Sequence, residues 1–141
     1  MEQVEPVGGQ DLLGGYMGWL GLQVLEAGGE RVVAAFDVRP DHLQPYGIVH
    51  GGVHCSVIES VASTGAAVWL GERGQVVGVS NQTDFLRAVR GGRLTGTALP
   101  IHRGRLQQLW AVEIRDARDR LVARGQVRLQ NIPNDHLDRR R

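Results

Sequence analysis

The sequence contains no lysine, a single cysteine and few aromatic residues, which make up 5% of its 141 positions. One cysteine cannot form an intrachain disulfide framework or a multi-cysteine zinc site, and such usage is typical of a reducing compartment. No stretch approaches the roughly 20 apolar residues of a membrane span, and the acidic N-terminus lacks the apolar segment of a signal peptide. We therefore expect a cytoplasmic protein with no membrane partner.

Charge of the two signs is separated along the chain, although the formal net charge is only +1. Residues 1–86 carry 3 arginines and 10 acidic residues, a balance of −7, whereas residues 87–141 carry 13 arginines and 5 acidic residues, a balance of +8. The near-neutral total argues against a general nucleic-acid partner, whereas the basic second part allows a local anion site.

Hydrophobic periodicity predicts an α+β fold. A short helix is predicted over 11–17, an alternating strand from Leu20, and a return strand over 30–38. Residues 51–70 predict one helix of about 19 residues that is apolar nearly all round. Four more strands are predicted to follow in hairpin succession, with a turn at 91–92 between the first two. Because such a helix must be buried on most sides, the pattern predicts one antiparallel sheet wrapped around it. We expect a flexible segment over 1–11, one domain over 12–131 and a disordered arginine-rich tail over 132–141.

Glu59 is the only formally charged side chain between positions 41 and 72, and it lies near the middle of the apolar helix. An unpaired buried carboxylate is costly, so Glu59 either has a chemical role or emerges on a solvent-facing stripe. Ser63 follows one turn later on the same face. At the helix start, His50-Gly51-Gly52 offers free N–H groups and the positive end of the helix dipole, which favour an oxyanion.

The run from Gln44 to Gly52, read together with Glu59 and Ser63, resembles the hotdog-fold acyl-CoA thioesterases. It is most similar to their PaaI-like branch, which includes the glutamate-using 4-hydroxybenzoyl-CoA thioesterases. The resemblance continues through 85–87 and 100–105 to Trp110 and covers about residues 12–131. It implies a six-stranded antiparallel sheet around one long helix, in agreement with the periodicity.

The resemblance also implies roles for individual residues. Glu59 matches the catalytic carboxylate, which acts either as the nucleophile or as the general base for water. Gly51 matches the backbone N–H that polarises the thioester oxygen. Gln44 and His50 match side chains that orient and polarise the thioester, while Ser63 matches a hydroxyl that positions the carboxylate or the water.

Substrate and coenzyme A are expected to contact a second set of residues: Gly52, Gly78, Phe85, Arg87, Arg103 and Arg105. Guanidinium groups bind phosphate in a bidentate manner, but whether Arg87, Arg90, Arg103 and Arg105 meet the coenzyme A phosphates is left open. Phe85 stands where some relatives have histidine, which argues against a polar aromatic acyl group.

Other site chemistries are weaker. His50 and His54, four residues apart, offer a metal site with Glu59, but the glycines between them indicate that His50 precedes the regular helix. We therefore expect no metal and no cofactor, with coenzyme A present only as part of the substrate. Cys55 is expected to be a small core residue.

The sequence thus predicts an acyl-CoA thioesterase that releases a carboxylic acid and free coenzyme A. The alternative is a non-catalytic acyl-CoA or acyl-carrier binding module of the same fold. A hotdog dehydratase or hydratase would need an Asp and His pair five residues apart, which this site lacks. A homodimer is expected because the sheet edges need cover. The resemblance implies active sites at the dimer interface, built from both chains, and assembly into a homotetramer.

Overall fold

The computed structural model describes residues 14–138, which form three helices and six strands. The predicted flexible segment over 1–11 and the last three arginines lie outside the described residues. In chain order the elements are α1 (Gly15–Leu20), β1 (Gln23–Ala27), β2 (Val32–Asp37), α2 (Gly51–Leu70), β3 (Gly74–Phe85), β4 (Arg93–Arg103), β5 (Gln107–Arg115), β6 (Leu121–Pro133) and α3 (Asn134–Asp138).

Helix α2 has its predicted extent and packs against all six strands. With the turn that follows, the segment Gly51–Arg73 is long and apolar enough to cross a membrane, judged by length and composition alone. The expectation that no stretch approaches such a span is therefore corrected. Of its most apolar 18-residue window, 56% is buried inside the fold. Burial against the sheet explains the apolar composition, as in the core helix of a folded domain.

The sheet has the order β1-β2-β4-β5-β6-β3, and every neighbouring pair of strands is antiparallel. The predicted six-stranded sheet around one helix is confirmed, but the hairpin succession is wrong at its first step. Strand β3 pairs with β6 at one edge, whereas β4 pairs with β2 and β5. The turn at 91–92 instead ends a longer connection, in which Val89 C=O accepts from Val49 N–H at 2.8 Å.

The N-terminal elements begin later than the sequence predicts. The predicted helix over 11–17 corresponds to the observed α1. Positions 11–13 of the prediction lie outside the described residues. Leu20 closes this helix instead of opening a strand, because Gly21 takes the left-handed conformation at φ 74° and caps the C-terminus. Strand β1 therefore starts only at Gln23.

The predicted disorder over 132–141 is wrong for residues 132–138. Strand β6 continues far enough to pair Ile132 with Gln75, because the long edge strand β3 offers it a partner there. Helix α3 follows, and the Asn134 side-chain amide donates to the Glu72 carbonyl at 2.6 Å.

Trp110 lies fully buried on β5 and faces Gly65 of α2. Its indole N–H donates to Gln108 Oε1 at 2.9 Å, and Gln108 Nε2 donates to the Ala66 carbonyl at 3.2 Å. These bonds hold the indole ring in place. A Cβ built on Gly65 would lie 2.6 Å from the ring, so only glycine permits this approach of helix and sheet.

We expect Gly65→Ala to lower the free energy of unfolding by up to about 2 kcal/mol, because the added methyl overpacks a fixed ring at a cost of about 1–3 kcal/mol. The roughly 1 kcal/mol that alanine gains over glycine in a helix offsets part of this cost. Denaturant unfolding measures it. Gly91→Ala is the matched control, since nothing lies within 4 Å of a Cβ there. Equal stabilities of the two variants would contradict the packing argument.

Candidate active site

His50 caps the N-terminus of α2 with both its side chain and its backbone. Its Nδ1 accepts from Gly52 N–H at 2.8 Å, and its carbonyl accepts from Val53 N–H at 2.9 Å. The residue itself is anchored, since His50 N–H donates to the His42 carbonyl at 2.9 Å. Two of the first three N–H groups of the helix are therefore already satisfied.

Gly51 carries the N–H group that remains. Within residues 14–138 this N–H donates no hydrogen bond, although it stands at the positive end of a 20-residue helix. The ring of Phe85 covers Gly51, and a Cβ built there would lie 2.8 Å from the ring. A bare backbone N–H at this position is suited to bind a developing oxyanion, as the sequence predicts for Gly51.

A cavity of about 540 Å³ opens at this end of α2. Gln44 lines it with a half-buried side chain, and its Oε1 accepts from Tyr46 N–H at 2.6 Å. Among the residues that the structure describes, its amide NH2 donates no hydrogen bond. Of the predicted site residues, the cavity brings together these six: Gln44, His50, Gly51, Gly52, Phe85 and Arg87.

His54 also lines the cavity and is 97% buried, one turn into α2. Burial lowers its pKa to about 4, so the imidazole is neutral at pH 7. Its buried Nδ1 has no hydrogen-bond partner within the described part of the chain, and its ring centroid lies 6.1 Å from that of Phe85. Among the described residues, no group of three or more His, Cys, Asp or Glu side chains is placed to hold a metal ion.

Glu59 lies on a half-exposed stripe of α2 and faces strand β3. Its Oε2 accepts from Asn81 Nδ2 at 3.0 Å. Its Oε1 lies directly over Gly78, where a built Cβ would approach it to 2.0 Å. Gly78 therefore makes room for the carboxylate. It does not line the cavity at Gly51, and its predicted substrate contact stays a prediction.

Ser63 is half-buried one turn beyond Glu59, on the same face of α2. In the part of the chain that the structure describes, no hydrogen bond joins the two side chains. Its role in positioning the carboxylate or a water molecule stays a prediction. Glu59 itself is absent from the lining of the cavity. Along α2 it stands eight residues beyond Gly51, a rise of about 12 Å.

The four arginines considered for phosphate binding are not brought together. Arg87 lines the cavity, whereas Arg90 lines a neighbouring cleft of about 310 Å³. Arg103 donates to Glu30 at 2.9 Å and its guanidinium lies over the Trp69 ring, near the opposite end of α2. Arg105 lines a separate cavity. Because β4 is extended over 11 residues, Arg103 lies about 30 Å from the end of the strand that adjoins the cleft.

Sequence reasoning missed Asn81, the one side chain in the described residues that hydrogen-bonds to the Glu59 carboxylate. For His54 the sequence suggested only a metal-binding role, and its place in the lining of the cavity was missed. The signal for Asn81 is faint, because β3 carries several polar residues and nothing in the local pattern marks which of them faces the helix.

The chain is similar to known proteins over a region that includes helix α2 and most of the sheet. A sequence profile of the thioesterase superfamily matches residues 46–123. A Mycobacterium tuberculosis protein, named as a candidate esterase, is 59% identical over 116 residues, which cover 80% of this chain and 83% of that protein. The 1,4-dihydroxy-2-naphthoyl-CoA hydrolase of Escherichia coli is 31% identical over 114 residues, covering 81% of this chain and 84% of the hydrolase.

Among solved structures, the crystal structure of AziG from S. sahachiroi superimposes with a TM-score of 0.84. Its sequence is 60% identical, and the match covers 86% of this chain and 98% of AziG. The similarities therefore extend over both the sheet and the helix that carries Gly51 and Glu59.

The lowered pKa of His54 predicts an acid-sensitive fold. The unfolded chain binds the proton more readily, because its histidine has the ordinary pKa of 6.5 and not about 4. The free energy of unfolding is therefore highest above about pH 6.5. It decreases by about 1.4 kcal/mol per pH unit as the pH falls from there towards 4. Unfolding free energies measured between pH 7 and pH 4.5 test this.

We expect His54→Gln to flatten that pH dependence, whereas substitution of the exposed His102 by glutamine leaves it unchanged. The pKa of His42 is also lowered by burial, so some acid sensitivity remains in every variant. The contribution of His54 is the difference in pH dependence between His54→Gln and the His102 variant. Parallel curves for His54→Gln and the parent would contradict the assignment.

Proposed function

Because this chain belongs to the thioesterase superfamily and is a thioester hydrolase, we propose that its substrate is an acyl-CoA. Water and the acyl-CoA then give a carboxylic acid and free coenzyme A. The resemblance to hotdog thioesterases stated from the sequence motif is confirmed by the family profile and by the relatives. The substrate class and the residue roles are our proposal.

The observation that carries the proposal is the free N–H of Gly51 at the mouth of the cavity. A thioester carbonyl placed there would accept from this N–H and from the unused amide NH2 of Gln44. Negative charge develops on that oxygen when the carbonyl carbon becomes tetrahedral, and preorganised donors stabilise it. His50 helps by holding Gly52 N–H, which leaves the helix start open at Gly51 alone.

Glu59 supplies the reactive carboxylate in either of two ways. As a nucleophile, its oxygen bonds to the carbonyl carbon and the carbon–sulfur bond breaks, leaving an acyl anhydride that water hydrolyses. As a general base, it takes a proton from the water that attacks the same carbon, and the thiolate again leaves. Both routes need an ionised carboxylate held in a defined orientation, which the contacts with Asn81 and Gly78 support.

Two copies of the chain are needed to complete one site in this proposal. Glu59 does not line the cavity that contains Gly51, and eight residues of helix separate the two. Strand β3 is an edge strand of 12 residues, and its segment 74–83 has no charged side chain. Edge strands that stay unpaired are normally protected by charge or proline. We therefore expect a homodimer formed along β3; assembly to a homotetramer and a cytoplasmic location stay predictions.

The cavity favours an apolar acyl group. Phe85 forms one wall, and neutral His54 lies behind it. We assign the contact with a coenzyme A phosphate to Arg87, because it lines this cavity, whereas Arg90 lines the neighbouring cleft. Arg103 is already paired with Glu30 and is less suited to this role.

We expect Glu59→Gln to lower kcat by about 100- to 10,000-fold, because the amide neither attacks the carbonyl nor takes a proton from water. Thiol release from a panel of aliphatic, benzoyl and 1,4-dihydroxy-2-naphthoyl thioesters of coenzyme A measures it. Acyl-CoA affinity and folding should be retained. Glu72→Gln, an exposed acid just beyond α2, is the control and should keep full activity.

Wild-type rates in Glu59→Gln would overturn the role of the carboxylate. Tight binding of acyl-CoA by the unmodified protein, with no thiol release from any member of the panel, would support the non-catalytic binding module instead.

Sharing of the site between chains predicts complementation. Gln44→Ala and Glu59→Gln should each be nearly inactive as homodimers. A heterodimer of the two, purified through two different tags, should recover about half of the wild-type activity, because one of its two sites is intact. A heterodimer as inactive as its parents would show that each chain keeps Gln44 and Glu59 in one site of its own.

A further inference from the structure

Strand β3 changes the face that it presents to α2 at a β-bulge. Gly78 pairs with Leu129 and Ser80 pairs with Arg128, so Val79 is an extra residue without a partner on β6. Before the bulge, the even-numbered Gly78 faces the helix. After it, the odd-numbered Asn81 faces the helix, since it contacts Glu59. A strand without the extra residue would turn Asn81 to the opposite face of the sheet.

The same shift also governs the next positions of the strand. Phe85, four residues after Asn81 and on the same face, covers Gly51 and lies beside His54. One bulge therefore turns two side chains towards α2: Asn81, which donates to the carboxylate, and Phe85, which forms a wall of the cavity. Bulges are common next to active sites because they re-aim side chains in this way.

The amide of Asn81 has one orientation that satisfies all its neighbours. Its Nδ2 donates to Glu59 Oε2 at 3.0 Å and to the Cys55 carbonyl at 3.1 Å. Both of those oxygens are acceptors only, so the group between them must be the NH2. Its Oδ1 accepts from the Thr83 hydroxyl at 2.7 Å. Thr83 therefore anchors the far end of the amide, while the two acceptor oxygens decide that the NH2 faces the helix.

From these contacts we infer that Asn81, anchored by Thr83, is a positioning residue for the catalytic carboxylate. It holds Oε2 of Glu59 and leaves Oε1, which lies over Gly78, as the oxygen that attacks the thioester or takes the proton from water. The inference rests on the proposed function of Glu59, and it holds for either chemical role because both need the same orientation. Misplacing a reacting group by about 1 Å costs on the order of 100-fold in rate.

A purely structural role is the competing explanation, since Asn81 also ties β3 to the backbone of α2 through Cys55. The two explanations differ in what else changes. A positioning residue acts on kcat and acts only through Glu59. A structural tie acts on stability and on substrate binding, with or without the carboxylate.

We expect Asn81→Ala to lower kcat by about 10- to 100-fold while KM changes by less than about threefold, because the carboxylate loses its orientation but the cavity is kept. In the Glu59→Gln background, Asn81→Ala should cause no further loss. Asn134→Ala, an exposed asparagine bonded to a backbone carbonyl at the other end of the sheet, is the matched control and should keep full activity.

Thr83 provides a test that leaves Asn81 in place. Thr83→Val removes the hydroxyl at nearly constant shape and should lower kcat by about 3- to 10-fold, within the cost of a partly misplaced group. Thr83→Ser restores a hydroxyl and should recover most of the wild-type rate. Melting temperatures are measured for every variant.

The inference is overturned if Asn81→Ala keeps the wild-type kcat while Glu59→Gln is inactive, and in that case the proposed function still stands. It is equally overturned if Asn81→Ala slows Glu59→Gln further, or if Thr83→Val and Thr83→Ser have the same rate. Full activity of Glu59→Gln itself would instead remove the proposed function on which the inference depends.

Discussion

The close approach of helix α2 to the sheet is the constraint on which the rest of the structure depends. It is possible because three glycines stand where the two layers touch. A Cβ on Gly65 would meet Trp110 at 2.6 Å, one on Gly125 would meet Ile58 at 3.1 Å, and one on Gly96 would meet Val57 at 3.3 Å. Because the helix lies so close to the sheet, the side chain of Glu59 reaches edge strand β3, where it packs over Gly78 and accepts a hydrogen bond from Asn81.

The same packing divides the helix into two parts with different chemistry. The side that faces the middle of the sheet is mostly apolar and buried, whereas a stripe containing Cys55, Glu59 and Ser63, beside edge strand β3, is only half-buried. Among the described residues, the first turn of the helix keeps one N–H without a partner, at Gly51, because His50 satisfies its neighbours. A backbone N–H at the helix start and a carboxylate two turns away are thus carried by one rigid element.

Prediction from sequence succeeded where the information is local. The extent of α2 followed from a continuous apolar pattern between Gly51 and Leu70, and the six strands followed from alternation. The motif around His50 indicated both the position of the cavity and the protein family, since its residues are close along the chain. The surroundings of Arg103 could not be predicted, because its contacts with Glu30 and Trp69 involve residues far from it in sequence.

The sequence by itself thus determined the central helix, the strands around it and the membership of the thioesterase superfamily. Only the tertiary structure decided that β3 pairs with β6, that a bulge at Val79 turns Asn81 towards Glu59, and which arginine lies at the cavity. The physical reason is one of distance along the chain. Periodicity and helix capping are set by neighbours within a few residues, whereas strand partners and side-chain contacts are chosen when distant segments pack together.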